Sequence, residues 1–311
     1  MKFELKKSHI AAAVAFALSG AAFTTAHAAP ALITDGAGTF ATIADAGYFQ
    51  PGGGASGGVS PSGIGLRYSG IEFVDWDTQA SNYSLTVGGV AIGGGPAYGQ
   101  AGFPFPAGPT NPLSATTSGP LFDGSVTVSS NIGGGGTGWR FSELVEITSP
   151  GHVNVTVTLT NLTGATATNV LWGVGFDPDQ GRNFAFDNST HNVINATGLG
   201  SSVTASYDGV SITLADTTKG FPTAVTPYID SSSCCAPVDP GLMFASGQAA
   251  GFTTDGDHSI NLAYNLGNIL AGHHATIGYE YIMAVPEPET YAMLLAGLGL
   301  IGFSARRRVA V

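Results

Sequence analysis

Apolar and polar residues alternate with a period of two through much of this chain, most clearly in Val153-Asn154-Val155-Thr156-Val157-Thr158-Leu159-Thr160. In an extended segment that spacing puts valine and leucine on one face and Asn/Thr on the other, which marks a half-buried strand. Asn161-Leu162-Thr163-Gly164 then supplies turn residues, so the pattern predicts a hairpin into a second strand over 168–176. Further strands are predicted over 65–69, 71–75, 83–87, 125–131, 139–147, 203–207, 210–215, 259–265 and 276–283. Forty-six glycines and 17 prolines interrupt the chain too often for long helices between its ends. The expected fold is all-β, an antiparallel β-sandwich of about a dozen short strands. Stretches rich in Gly, Pro and Ser over 52–62, 93–120 and 217–240 read as loops. No repeat of fixed period occurs, which argues against a solenoid or propeller.

The two ends break this pattern. Lys2, Lys6 and Lys7 precede an alanine-rich apolar run over 10–23, and Ala26-His27-Ala28 offers the small residues that signal peptidase reads. A signal peptide over 1–28, cleaved after Ala28, is expected; with no twin-arginine pair, the general secretory route is the simpler one. At the other end stand Val285-Pro286-Glu287-Pro288, an apolar stretch over 290–305 and Arg306-Arg307-Arg308. Pro286 and Pro288 lack amide donors and hold their neighbours extended, so a helix begins only after them. Sixteen residues of helix make about 24 Å, short of a hydrocarbon core of about 30 Å. Snorkelling arginines and local thinning of the bilayer cover the difference, with the arginines on the cytoplasmic side. Gly297-Leu298-Gly299-Leu300-Ile301-Gly302 matches the dinucleotide-binding glycine pattern but lacks the βαβ context that chemistry requires.

The order of these three parts, with the Leu294-Leu295-Ala296-Gly297-Leu298-Gly299-Leu300 run between motif and arginines, resembles the PEP-CTERM sorting domain of Gram-negative bacteria. That domain is also called the ice-binding protein C-terminal domain, a name that describes no activity. The resemblance covers the tail alone. It implies recognition by a membrane-embedded exosortase, cleavage near Pro286-Glu287-Pro288, a transient anchor in the inner membrane, and delivery to the cell surface or exopolysaccharide matrix. The expected organisation is a signal peptide over 1–28, a β-sandwich over 29–284 and a sorting and anchor segment with a transmembrane helix over 285–311.

Charge narrows the role of the middle. Setting aside the basic residues of the two ends leaves Arg67, Arg140, Arg182 and Lys219; setting aside Glu4, Glu287 and Glu289 leaves 18 acids, a net of −14. Such a surface repels nucleic acid and anionic lipid headgroups, which excludes a nucleic-acid role. Charged residues are only 10% of the chain, so Ser, Thr, Asn and Gly must supply its solubility. The segment 153–174 resembles the hairpins of immunoglobulin-like modules in bacterial surface proteins, over one hairpin only.

Candidate chemistry is sparse. Asp177-Pro178-Asp179-Gln180-Gly181-Arg182-Asn183 places oxygens at alternate positions after a strand, and Asp177, Asp179 and Asn183 are candidate calcium ligands, although the glycine and glutamate of an EF-hand loop are missing. A polar turn explains the same residues. Asp75-Trp76-Asp77 sets two carboxylates about 6.8 Å apart along a strand, a separation seen in glycosidases; Trp76 as packing is the plainer reading. Cys234-Cys235 are the only cysteines, too few for a disulfide framework but able to close a vicinal disulfide, pair between chains or remain thiols. Gly54-Ala55-Ser56-Gly57-Gly58 lacks the strand and helix that make a nucleophile elbow. The Thr156, Thr158, Thr160 row is one strand of sheet surface, not the repeated array that ice binding needs. The expectation is therefore an exported, exosortase-sorted surface or matrix protein without enzymatic activity or resident cofactor. The alternatives are a carbohydrate-binding or carbohydrate-active protein using Asp75, Trp76 and Asp77, and a calcium-stabilised adhesin.

Overall fold

The computed structural model describes residues 31–43, 49, 65–74, 81–95, 125–132, 138–185, 187–220, 222–235, 238–286, 295–298 and 300–301. The signal-peptide residues, Asp75, Trp76 and Asp77, and Glu287, Pro288 and Arg306–Arg308 lie outside them.

The protein is mostly β, built of antiparallel sheets with few helices. Strands are numbered along the chain. An eight-stranded sheet runs β15 (Thr253–Gly256), β11 (Thr190–Ala196), β12 (Ser202–Tyr207), β13 (Val210–Asp216), β17 (His274–Ala284), β9 (His152–Asn161), β8 (Trp139–Ser149), β7 (Ser125–Ile132). A five-stranded sheet runs β14 (Ala224–Asp230), β16 (Ser259–Ile269), β10 (Ala167–Phe176), β5 (Ser81–Val87), β6 (Val90–Gly95). A small sheet joins β1 (Ala31–Thr34), β2 (Thr39–Ile43), β3 (Leu66–Tyr68) and β4 (Ile71–Glu72). Two short helices are α1 (Arg182–Ala185) and α2 (Pro240–Ser246).

The alternation in β9 is realised as read: Val153, Val155, Val157 and Leu159 are buried while the intervening Asn and Thr are half-buried. Their inward face meets the inward face of the five-stranded sheet. Phe141 on β8 lies 4.9 Å from Tyr83 on β5 and 6.0 Å from Trp172 on β10, ring centre to ring centre. Phe176 on β10 meets Tyr281 on β17 edge-on at 5.2 Å. Such aromatic pairs add about 0.5–1.5 kcal/mol each beyond the area they bury. Trp139 and Trp172 are both core residues. The small sheet adds Ile33, Ala41, Ile43 and Leu66 to the same core.

The structure departs from the sequence reading in several elements. β14 runs through the stretch read as a loop over 217–240, β6 reaches into the stretch read as a loop from 93, and β1, β2, β11 and β15 have no counterpart in the reading. Pro227 sits within β14, where it is tolerated because β14 is an edge strand. Of the tail, 295–298 and 300–301 are helical. Among the described residues no helix is long and apolar enough to cross a membrane.

Candidate functional site

The site grows from the way β10 is buried on both faces. Its inward residues Val170, Trp172, Val174 and Phe176 enter the core, and its outward residues include Gly173 and Gly175. A Cβ on Gly173 would lie 2.5 Å from Ser84 Oγ and 3.1 Å from Met243 Cε, and one on Gly175 would collide with Asn261 Oδ1. The two missing side chains let α2 and the segment before it close over the outer face of the five-stranded sheet. Ser84 Oγ donates to Val238 O at 2.7 Å, and Val238 and Met243 pack with Ala263 under this cover. Asp239 caps α2 by accepting from Gly241 N, with Pro240 opening the helix and Gly247 closing it in the left-handed region at φ 64°.

Asp177 follows Gly175 by one further step of the strand alternation, and its carboxylate therefore sits at the end of that covered face. The loop after it is held from three sides. Pro178 bridges Val74, and Asp179 N donates to Phe73 O. Gln180 Nε2 donates to Ala205 O of β12, while Gln180 Oε1 is buried without a hydrogen-bond partner. Asn183 accepts from Glu72 N through Oδ1 and donates to Glu72 O and Gln180 O through Nδ2. Arg182 Nη1 lies 3.9 Å from Asp179 Oδ2.

Three carboxylates converge here. Oxygens of Asp177, Asp179 and Asp257 all lie within 4.8 Å of one another, with Asp177 and Asp179 buried and Asp257 exposed. The structure thus brings together two of the three residues that the loop rhythm singles out. Asn183 is instead engaged with the main chain of Glu72 and Gln180, and Asp257 takes the third place. Asp257 belongs to Asp255-Gly256-Asp257, a weaker acidic pattern that a hairpin turn explains as well. It arrives because β16 pairs with β10, Phe176 opposite Ile260, which sets 257 beside the loop after Phe176.

Cys234 and Cys235 are joined in a vicinal disulfide, with their Cα atoms 3.7 Å apart. Cys235 is buried, Cys234 half-buried. Cys235 Sγ lies 3.2 Å from Asp177 Oδ2; a disulfide carries no thiol proton, so this is a close contact and not a hydrogen bond. The loop that presents the pair starts from Asp230, whose Oδ1 accepts from Ser232 N and Ser232 Oγ, and is tied to β16 by Ser259 N donating to Ser233 O.

Glu72, which opens the acidic stretch 72–77, and Glu143, which the sequence reading passes over, are buried as well. Glu72 accepts from Gly65 N and Leu66 N and sits 3.4 Å from Arg67 Nε. Its burial pushes its carboxyl up to about 8 despite those favourable contacts. Glu143 lies between the large sheets, where Tyr279 Oη donates to it at 3.0 Å; burial pushes its carboxyl up to about 8 as well. Two histidines pair with carboxylates outside the cluster: His152 with Glu280 and His191 with Asp255.

The chain leaves the fold from β17, a strand flanked by β13 and β9. Val285 packs against the core, and Pro286 Cγ lies 3.3 Å from where a Cβ on Gly209 would be.

Residues 284–308 match the PEP-CTERM protein-sorting motif, which begins on the last residue of β17. No curated protein matches the chain. Among solved structures it is similar to the heparan sulfate lyase HepC from Pedobacter heparinus, with 11% sequence identity and a TM-score of 0.39 over 80% of this chain. The chain spans about a third of that lyase, 34% of its length. The match to the sorting motif makes this chain a PEP-CTERM domain-containing protein, and that motif implies export and recognition by exosortase.

Proposed function

We propose that this protein is a β-sandwich delivered through the inner membrane by exosortase to the cell surface or the exopolysaccharide matrix, where it serves as a non-enzymatic structural component. The observation that carries the proposal is the sorting motif over 284–308, continuous with β17. The outward face of the eight-stranded sheet supports it: Thr158 and Thr276 share a hydrogen bond, as do Thr204 and Thr213, and Asn195 donates to Thr204. Rows of hydroxyl and amide groups on that face suit a hydrated polysaccharide environment. Glu72 and Glu143, whose carboxyls burial pushes up to about 8, are both enclosed in the fold.

The test is fractionation of tagged protein in a host with and without its exosortase. Mature protein is expected at the surface or in the medium with the enzyme, and in the inner membrane without it. Finding it in the cytosol with both ends intact overturns the proposal.

A second reading, carbohydrate binding or cleavage through Asp75, Trp76 and Asp77, is favoured by one observation. Asp75 directly follows Val74, which bridges Pro178 in the acidic loop. Glycan binding or turnover that Trp76→Ala or Asp75→Asn abolishes would establish it. In either reading a hard divalent cation such as calcium, held by the oxygens of Asp177, Asp179 and Asp257, fixes the loop after β10, since an all-carboxylate set suits that ion.

A further inference from the structure

We infer that Asp177 belongs to two alternative donor sets, and that reducing Cys234–Cys235 turns this end of the five-stranded sheet into a thiolate site for a borderline-soft divalent metal such as zinc. The proposal shares Asp177 with the calcium reading but does not depend on it, because the new ligands are the sulfurs and not Asp179 or Asp257.

The ligand atoms of Asp177, Cys234 and Cys235 all lie within 4.8 Å of one another. Tetrahedral zinc, with Zn–S about 2.3 Å and Zn–O about 2.0–2.2 Å, requires neighbouring ligand atoms roughly 3.5–3.8 Å apart. Once the S–S bond is broken, rotation of the two side chains parts the sulfurs to that spacing, while Cys235 Sγ already lies 3.2 Å from Asp177 Oδ2. The two cysteines stay beside Asp177 without their bond because the loop is held on both sides of them. Asp230 fixes Ser232, Ser233 O is bound by Ser259 N, and the capped start of α2 follows at Asp239. Half-buried Cys234 gives a reductant and a metal their access, while Cys235 and Asp177 form the inner wall.

The chemistry balances. A dithiol reductant gives two electrons and two protons to the S–S bond and is itself oxidised to a disulfide, leaving two thiols, of which Cys235 donates to Asp177 Oδ2. The metal ion then displaces both thiol protons to solvent, and its charge offsets the thiolates beside the carboxylate. Three protein ligands leave a fourth position for water. With the disulfide intact, sulfur offers no anionic ligand and only the oxygen set remains.

The experiment titrates Co2+ into the full chain, reduced with a dithiol and desalted under nitrogen, and then displaces it with Zn2+. One Co2+ per reduced chain is expected, with a thiolate-to-cobalt charge-transfer band, tighter binding as pH rises, and no band in the oxidised chain. Asp177→Asn is expected to weaken zinc binding by about tenfold or more. An absent band overturns the inference, as does wild-type uptake by the Cys234→Ser/Cys235→Ser pair or unchanged affinity in Asp177→Asn. Should the serine pair fail to fold, Cys234→Ala/Cys235→Ala serves in its place. Calcium response measured on the oxidised chain is a separate readout, so loss of one reading leaves the other standing.

Discussion

Glu143 and Asp177 are both buried carboxylates, yet their surroundings give them opposite consequences. Glu143 lies between the two large sheets with Tyr279 as its hydrogen-bond donor, and Tyr281 and Tyr264 close by. Among the described residues nothing there supplies a positive charge, so the favoured state is the neutral acid. Asp177 sits at the end of a strand, among two other carboxylates and a disulfide, with Asp257 opening to solvent. There a cation can enter. Convergence at a rim, and not burial alone, is what makes the Asp177 cluster a candidate metal site.

The largest effect that separates the two regions is expected from pH. An acid whose carboxyl is raised from 4.5 to about 8 on folding contributes its full stability below about 4.5, where both states hold the proton. As pH rises toward 8 the unfolded chain ionises first, and stability falls by up to about 1.4 kcal/mol per pH unit. Above 8 the loss is complete. Urea unfolding from pH 5 to 9 should show this decline, and Glu143→Gln should remove about half of it, since Glu72 is shifted alike; an unchanged slope would put the ionised form of Glu143 in the core.

The rim should answer to cations instead. Calcium at a hundredfold excess over its Kd should stabilise the oxidised chain by about 2.7 kcal/mol. Asp257→Asn should remove most of that rise in Tm, and Glu143→Gln should leave it intact. No change in Tm on chelation would exclude the bound ion.

Gly175→Ala is expected to cost about 1–3 kcal/mol, because its methyl group meets the Asn261 side chain on the neighbouring strand β16. Asn261→Ala in the same chain should restore part of the loss in a double-mutant cycle. Thr158→Ala, on the hydrated outer face, should change stability by less than about 0.5 kcal/mol. A larger cost would mean that the Thr158–Thr276 bond matters more than its exposure suggests.

Legibility in the sequence follows the same division. β9 and β10 are visible because their inward positions from Val153 to Leu159 and from Val170 to Phe176 are apolar, so period and burial coincide. The hairpin expected between them does not form: β9 pairs with β8 and β17, and β10 with β5 and β16 in the other large sheet. β11 is hidden because its inward positions are Thr190, Asn192 and Ile194, two of them polar yet buried. β14 is hidden by Pro227 and by the serines and prolines that follow it. Glu143 was readable: it falls on the inward phase of Trp139, Phe141 and Val145 in β8. At the rim, Asp177 and Asp179 show in the local rhythm, whereas Asp257 and the cysteine pair reach them only through strand pairing and the closing of α2. Short-range patterning carries no trace of such meetings.

One consequence concerns the geometry of sorting. Val285 is docked on the body and Pro286 rests by the β12–β13 turn, so little slack separates the folded strand from the apolar stretch that starts at Thr290. Four peptide steps, fully drawn out, reach about 14 Å. A body tethered by that tail to a transient anchor is therefore held within a short leash of it, and a protease reaching the motif must work in the narrow gap beside the folded sheet.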